Sequence, residues 1–216
     1  MLKKVFIHLS GFVIVALGIS VILHTNVGAT PIDAFNYFIV DIVSIPWFTQ
    51  GIMTFVTGFT VALISYFAEK GKDVWISIIF LFVVGFFIDL WNILVDLIPT
   101  SLYSPLWIRI IIASVTIFVI AFGVSLTLIS GLVTSPFERL LKTMHHKGIP
   151  LGLAKIMIEG TFLILAIILG LLTGKLLLQV NAFTIILTLS MGPLIAVFMQ
   201  KITHKKEKGV MIHATE

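Results

Sequence analysis

The sequence predicts an all-α, polytopic helical membrane protein: about six transmembrane helices in two inverted repeats, each repeat carrying one short non-spanning helix. Three observations carry that prediction. The chain is 59% hydrophobic and only 11% charged, with a mean hydropathy of +1.16. Several apolar runs reach the ~20 residues that a helix needs to cross a hydrocarbon core. Residues 16–35, ALGISVILHTNVGATPIDAF, recur 105 residues later as AFGVSLTLISGLVTSPFERL at 121–140.

The predicted spans are 5–23, 48–68, 74–95, 106–129, 149–172 and 180–199. All must be helical, because backbone polar groups in lipid have to be satisfied within the segment. Lys3-Lys4 before the first apolar run and Val27-Gly28-Ala29 after it also resemble a signal peptide. The recurrence of the same pattern at 121–140, where no signal could act, favours a retained helix. The tails and loops are too short for a soluble domain.

Two weaker segments, 28–43 and 132–147, each follow the repeated motif. The first carries Asp33, Asn36 and Asp41, and the second carries Glu138, Arg139, Lys142 and two histidines, so neither crosses lipid cheaply. Ala16/Ala121, Gly18/Gly123, Ser20/Ser125, Leu23/Leu128 and Pro31/Pro136 coincide between the copies. The agreement extends past the helix end into a polar turn: Gly28, Thr30 and Pro31 in the first copy, Ser135 and Pro136 in the second. Thr30 and Ser135 read as N-caps, each followed by a proline suited to the first helical position and by an acid suited to the positive end of a helix. With three spans and one non-crossing element per repeat, the second repeat enters the membrane from the opposite side. The division expected is repeat 1 at 1–99, repeat 2 at 100–200 and a basic tail at 201–216.

The formal charge of +4 orients the chain rather than implying a nucleic-acid partner. With a cytoplasmic N-terminus, Lys3, Lys4, Lys70, Lys72, Arg139, Lys142, Lys147, Lys201, Lys205, Lys206 and Lys208 all fall on one side; these are eleven of the fourteen basic residues. Arg109 and Lys175 fall on the other, and Lys155 lies inside a span. The positive-inside rule then makes both termini cytoplasmic. The absence of cysteine from the sequence excludes disulfides, thiolate nucleophiles and Cys-based metal sites.

Ionisable residues within the spans are the candidates for function, since a charge near the bilayer centre costs several kcal/mol. Asp89 lies roughly 22 Å along the third span at 1.5 Å per residue, in the outer half of the membrane. Asn92 and Asp96 follow at i+3 and i+7 on one stripe. Arg109 begins the next span at the same face, and Asp33 approaches from the outer short segment. An Asp33/Asp89/Arg109 cluster is expected there, either as a structural pairing or as a cation or proton site. At the inner face Glu159 and Lys155 form an i, i+4 pair, with Glu138 and Arg139 on the same side. Two such clusters suit gates that open in alternation.

Other features are read structurally. His8 is expected to be packed or interfacial, and the remaining histidines have no spacing that specifies a metal; adjacent His145-His146 point to different helix faces. Gly11/Gly18 and Gly51/Gly58 are small-residue spacings that permit close helix packing. Trp47, Trp75, Trp91 and Trp107 are expected as interfacial anchors near span ends.

The Gly-Ala-Thr-Pro-Ile-Asp turn, its echo Thr134-Ser135-Pro136-Phe137-Glu138, and the paired Gly-Phe-Phe-Ile-Asp and Met-Gly-Pro-Leu-Ile runs resemble the YczE/YyaS/YitT family over roughly residues 5–200. The resemblance implies a small multi-helix protein of the bacterial cytoplasmic (inner) membrane and supplies no substrate or catalytic residues. From the residues, the expectation is a transporter or permease for a small solute or ion, its site between the repeats; the alternative is a non-transporting accessory protein that assists a partner in assembly or secretion. No acid/base or metal constellation is complete, so neither an enzyme nor a cofactor is expected. The expected partners are the lipid bilayer and a small solute or ion, with a homo-oligomer left open. The topology is checked directly in this cysteine-free chain: Ser101→Cys should react with a membrane-impermeant maleimide in intact cells, and labelling only after permeabilisation would reverse the orientation.

Overall fold

The structure is a computed structural model that describes residues 1–71, 73–132 and 135–213, without the side chains of 151 and 204–213. Expectations for Lys72, for Thr134, for the histidines at 204 and 213 and for the basic side chains from 205 onward lie outside what is described. In chain order the elements are α1 (Leu2–Thr25), α2 (Pro31–Val43), α3 (Gln50–Ala68), α4 (Asp73–Asp96), a 3-10 turn (Thr100–Tyr103), α5 (Leu106–Ile129), α6 (Pro136–His146), α7 (Leu151–Thr173), α8 (Leu176–Gln179) and α9 (Ala182–His213). Among the described residues six helical stretches are long and apolar enough to cross a membrane: α1, α3, α4, α5, most of α7, and α8 running into α9. The fold is that of a polytopic helical membrane protein. α9 continues as helix to His213.

α2 and α6 have 13 and 11 residues. At 1.5 Å per residue neither reaches much beyond 20 Å, short of the ~30 Å hydrocarbon core. Both begin as the repeated motif predicts. Thr30 Oγ1 accepts from Asp33 N at 3.1 Å and Ser135 Oγ accepts from Glu138 N at 3.4 Å, with a proline at the start of each helix. Gly28 takes φ +125°, a region that side chains avoid, and a Cβ there would lie 2.8 Å from Asn181 Oδ1.

α1 is the central helix. One of its faces packs along α5 and another along α4, while α5 also packs on α9 and α3 on α4. Phe12, Ala16, Ile19, Ile22 and Leu23 of α1 join Ile88, Ala113, Ile117 and Leu187 in the buried core. The short helices lie crosswise in the chain order: α2 packs chiefly on α7 and also on α3, and α6 chiefly on α3 and also on α7. Large apolar side chains such as Phe82, Phe86, Phe118, Ile164 and Leu189 point outward, as lipid-facing surface requires.

Glycine permits the closest approaches. A Cβ on Gly11 would lie 2.7 Å from the Gly123 carbonyl oxygen, and one on Gly123 would lie 2.9 Å from that of Gly11. Gly18 receives Ile120, and Gly123 receives Val15. On the other side of the bundle Gly51 faces Gly85 of α4, and Gly58 faces Leu81. His8 is fully buried, with its ring between Phe12 and Phe80 and Nδ1 2.8 Å from Ser130 Oγ. Trp47, Trp75 and Trp107 are exposed as anchors should be, but Trp91 turns inward and donates from Nε1 to the Val13 carbonyl at 3.1 Å. Its position on the α1-facing side of α4 decides this, since a buried indole N–H needs an acceptor.

The α3–α4 contact predicts a contrast between two glycines. A Cβ on Gly51 would overlap the Gly85 carbonyl and lie 2.6 Å from Asp89 Oδ2, whereas nothing lies within 4 Å of one on Gly160. Gly51→Ala should destabilise the detergent-solubilised protein by about 1–3 kcal/mol, and Gly160→Ala should be neutral or slightly stabilising. Equal melting temperatures for the two variants would contradict this packing.

Candidate functional site

An open cavity of about 770 Å³ lies where α1 and α4 end and α3 and α5 begin. Its wall takes Leu23, His24 and Asn26 from the end of α1, Tyr37 and Val40 from α2, Gln50 from α3, Asn92 and Asp96 from α4, residues of the 3-10 turn and its flank, and Arg109 from α5. α1 and α4 run side by side, so polar residues at their ends meet. Ser20 donates to Asn92 Oδ1 at 2.6 Å, and His24 Nε2 lies 3.0 Å from Asp96 Oδ1. His24 Nδ1 is 2.7 Å from the Ser20 carbonyl, which can only accept, so that nitrogen carries a proton.

Of the six candidate residues, Asn92 and Arg109 line this cavity; Asp33, Asp89, Glu138 and Glu159 do not. The expected Asp33/Asp89/Arg109 cluster does not form. Asp89 faces the protein, but its partners are on α3: Thr49 Oγ1 donates at 2.6 Å and Gly51 N at 2.8 Å. The carboxylate therefore caps the start of α3, where the positive end of a neighbouring helix stabilises it. Arg109 turns the other way and donates from Nη1 to the Thr25 carbonyl at the end of α1, a long contact of 3.4 Å. A helix C-terminus offers a cation unpaired carbonyls, and that contact takes the place of the expected ion pair.

Asp33 is buried in the first turn of α2, where Thr30 Oγ1 donates to it at 2.5 Å. Burial pushes its carboxyl up to about 6, against the opposing pull of the Thr30 hydroxyl. Gln50, in the cavity wall, donates to the Asp33 backbone carbonyl at 3.3 Å. Asn36, one turn on, accepts from Thr57 at 2.6 Å and donates to Thr54 at 3.3 Å, tying α2 to α3.

At the opposite end of the bundle the inner cluster also takes different partners. Lys155 and Glu159 pair at 3.7 Å as their spacing predicts. Arg139 instead pairs with Asp73 and donates from Nη2 to the Glu69 carbonyl at 2.8 Å, because α6 packs chiefly on α3 and so sets Arg139 beside the start of α4, while Phe137 of the same helix meets Phe162 of α7. His146 lies 3.2 Å from Glu69, whose carboxyl is held below its usual range chiefly by that hydrogen bond. His145 turns to the Ile149 carbonyl, so the adjacent histidines do point apart. Glu138 is raised by burial, with nearby Lys142 opposing. At the cavity end, Lys175 pairs with Asp41 at 2.7 Å, and its ammonium is raised above its usual value chiefly by that hydrogen bond.

The family model that matches covers residues 2–200 and describes a family of unknown function, DUF6198. The chain belongs to the DUF6198 family. Neither the curated proteins nor the solved structures contain a match. In this DUF6198 member the cavity residues that sequence reasoning passed over are His24, Asn26, Tyr37 and Gln50. His24 stands one residue beyond the predicted first span, so nothing in the sequence linked it to an acid 72 positions away.

Separate partners for Asp89 and Arg109 make a quantitative prediction. The destabilisations of Asp89→Asn and Arg109→Gln should add to within about 0.3–0.5 kcal/mol in the double variant, as for residues with no shared contact. Recovery of stability in the double variant would restore the direct ion pair.

Proposed function

We propose that this chain is a membrane transporter for a small polar solute, with the cavity as one half of its pathway and the two halves of the chain as inverted repeats. The observation that carries the reading is that three of the interhelical packings survive exchange of the halves, although among the described residues α3 on α4 has no counterpart of like extent in α7 on α9. α1 on α4 corresponds to α5 on α9, α2 on α7 to α6 on α3, and α2 on α3 to α6 on α7. Individual contacts correspond as well. Gly18 against Ile120 becomes Gly123 against Val15 under the 105-residue offset. Ser20 bonds to Asn92 of α4 as Ser125 donates to the Ile195 carbonyl of α9, at 3.3 Å. Because each half holds three spans and one short helix, the exchange axis runs in the membrane plane, the arrangement common in secondary transporters.

The ion pairs suit alternating access. Asp41 ties the end of α2 to the turn after α7 at the cavity end, and Arg139 ties α6 to the turn after α3 at the other. Each joins a short helix of one half to the hairpin turn of the other, so breaking one frees one end of the bundle. In this reading both termini are cytoplasmic, the cavity faces outward, and the membrane is the bacterial inner membrane implied by the motif resemblance to the YczE/YyaS/YitT group. The cavity binds and releases its solute without converting it.

Reconstituted proteoliposomes test the reading. A panel of small solutes should include at least one with saturable flux, and Lys175→Met should change its rate several-fold without unfolding the protein. Absence of flux across the panel, together with recovery of a stoichiometric membrane partner from native lipid, would support the accessory-protein alternative instead.

A further inference from the structure

Within that transport reading, we propose that the cavity binds a small organic carboxylate and that Arg109 is the residue that holds it. Arg109 makes no ion pair among the described residues. Its one hydrogen bond is the long contact to the Thr25 carbonyl, and its buried Nε–H meets no acceptor. A guanidinium carries five donors in a fixed fork, so with one long bond to Thr25 most of its capacity is unspent, and Arg109 lines the cavity. Leaving such donors unmet is costly, and a carboxylate meets two of them at once.

The acid that shares the cavity does not neutralise Arg109, because Asp96 is engaged by His24. The neighbouring amides add donors. Gln179 Nε2 donates both to the Leu23 carbonyl, at 3.1 Å, and to Asn26 Oδ1, at 3.2 Å. The carbonyl partner fixes the Gln179 orientation, so the Asn26 oxygen is the acceptor and its NH₂ is left for the cavity. Asn92 likewise uses its oxygen on the Ser20 hydroxyl, leaving its NH₂. Beside an Asp96 carboxylate held by His24, the polar wall therefore presents a cation and two amide donors whose matching acceptors are already used, a set that suits an anion at Arg109.

The remainder of the wall selects an organic anion over a bare halide. Leu23, Val40 and Tyr37 give an apolar flank, and about 770 Å³ is far more than an inorganic ion fills. A carboxylate at Arg109 with its carbon skeleton along Tyr37 and Val40 uses both kinds of surface.

Calorimetric titration of the purified protein with lactate, succinate, benzoate and L-alanine, against lactamide and benzamide as uncharged isosteres and sodium chloride as the ionic control, tests the assignment. At least one carboxylate should bind saturably and its amide should not. Arg109→Gln should weaken that binding at least ~10-fold, and Arg109→Lys should retain part of it, as expected for a charged hydrogen bond. Melting curves of both variants establish that they fold. Should Arg109→Gln fail to fold, Arg109→Lys carries the test, with a several-fold loss expected and an unchanged affinity overturning the assignment. It is equally overturned if none of the four carboxylates binds, if the amides bind equally well, or if Arg109→Gln binds normally. Saturable carboxylate binding without flux in proteoliposomes would instead remove the transport reading and leave this site standing, while flux of an uncharged solute that ignores Arg109→Gln would do the reverse.

Discussion

The close crossing of α1 and α5 is the constraint on which the rest of the bundle depends. Lipid tails are as apolar as leucine, so two spanning helices gain little from hiding apolar surface and must instead gain from close contact. Gly11, Gly18 and Gly123 bring the two backbones near enough that a single added methyl group would strike carbonyl oxygen or a branched side chain. With one face of each helix committed to that crossing, α4 takes a second face of α1 and α9 a second face of α5. α3 then enters through the matching glycines at the α4 contact, and the short helices are left to the flanks between α3 and α7.

The polar groups follow from the same shortage of water. A carboxylate inside a span is tolerated only beside donors, and Asp89 has both a hydroxyl and a helix-end N–H. Serine and threonine bond back to their own helices at Ser114, Thr116, Ser125 and Thr161, so they cost little inside an apolar segment. Against this background of local satisfaction the cavity's amides and hydroxyls bridge between helices, as Asn36 does between α2 and α3, and its guanidinium keeps an Nε–H that meets no acceptor.

The spans, the caps at Thr30 and Ser135 and the glycine contacts were legible in the sequence because each rests on local chemistry: length and hydropathy, proline beside a hydroxyl, spacing on one face. Partners across the bundle were not. Asp89 and Arg109 are close in sequence and share an end of the molecule, yet the direction in which each side chain leaves its helix separates them. Arg139 found Asp73 because α6 packs on α3, a choice that only the tertiary arrangement makes. Trp91 read as an anchor by its position near a span end and proved to be a donor into α1 by its face. The cavity gathers residues from five separate helices and a turn, and no spacing along the chain encodes that convergence.

The crosswise seating of α2 also bears on how the chain assembles. Its principal partner, α7, begins more than a hundred residues after α2 ends. At roughly 5–20 residues per second of synthesis, α2 waits at least several seconds before that surface exists. It is not left bare meanwhile, since its polar edge meets α3 almost at once: Asn36 reaches Thr54 and Thr57, and Gln50 reaches the Asp33 carbonyl. Insertion thus proceeds in two stages, in which nearby hydrogen bonds hold the short helix in register and its apolar side is covered only when the later hairpin arrives. A ribosome halted before α7 would leave a nascent chain with every early span inserted and one apolar face still open to whatever the membrane supplies.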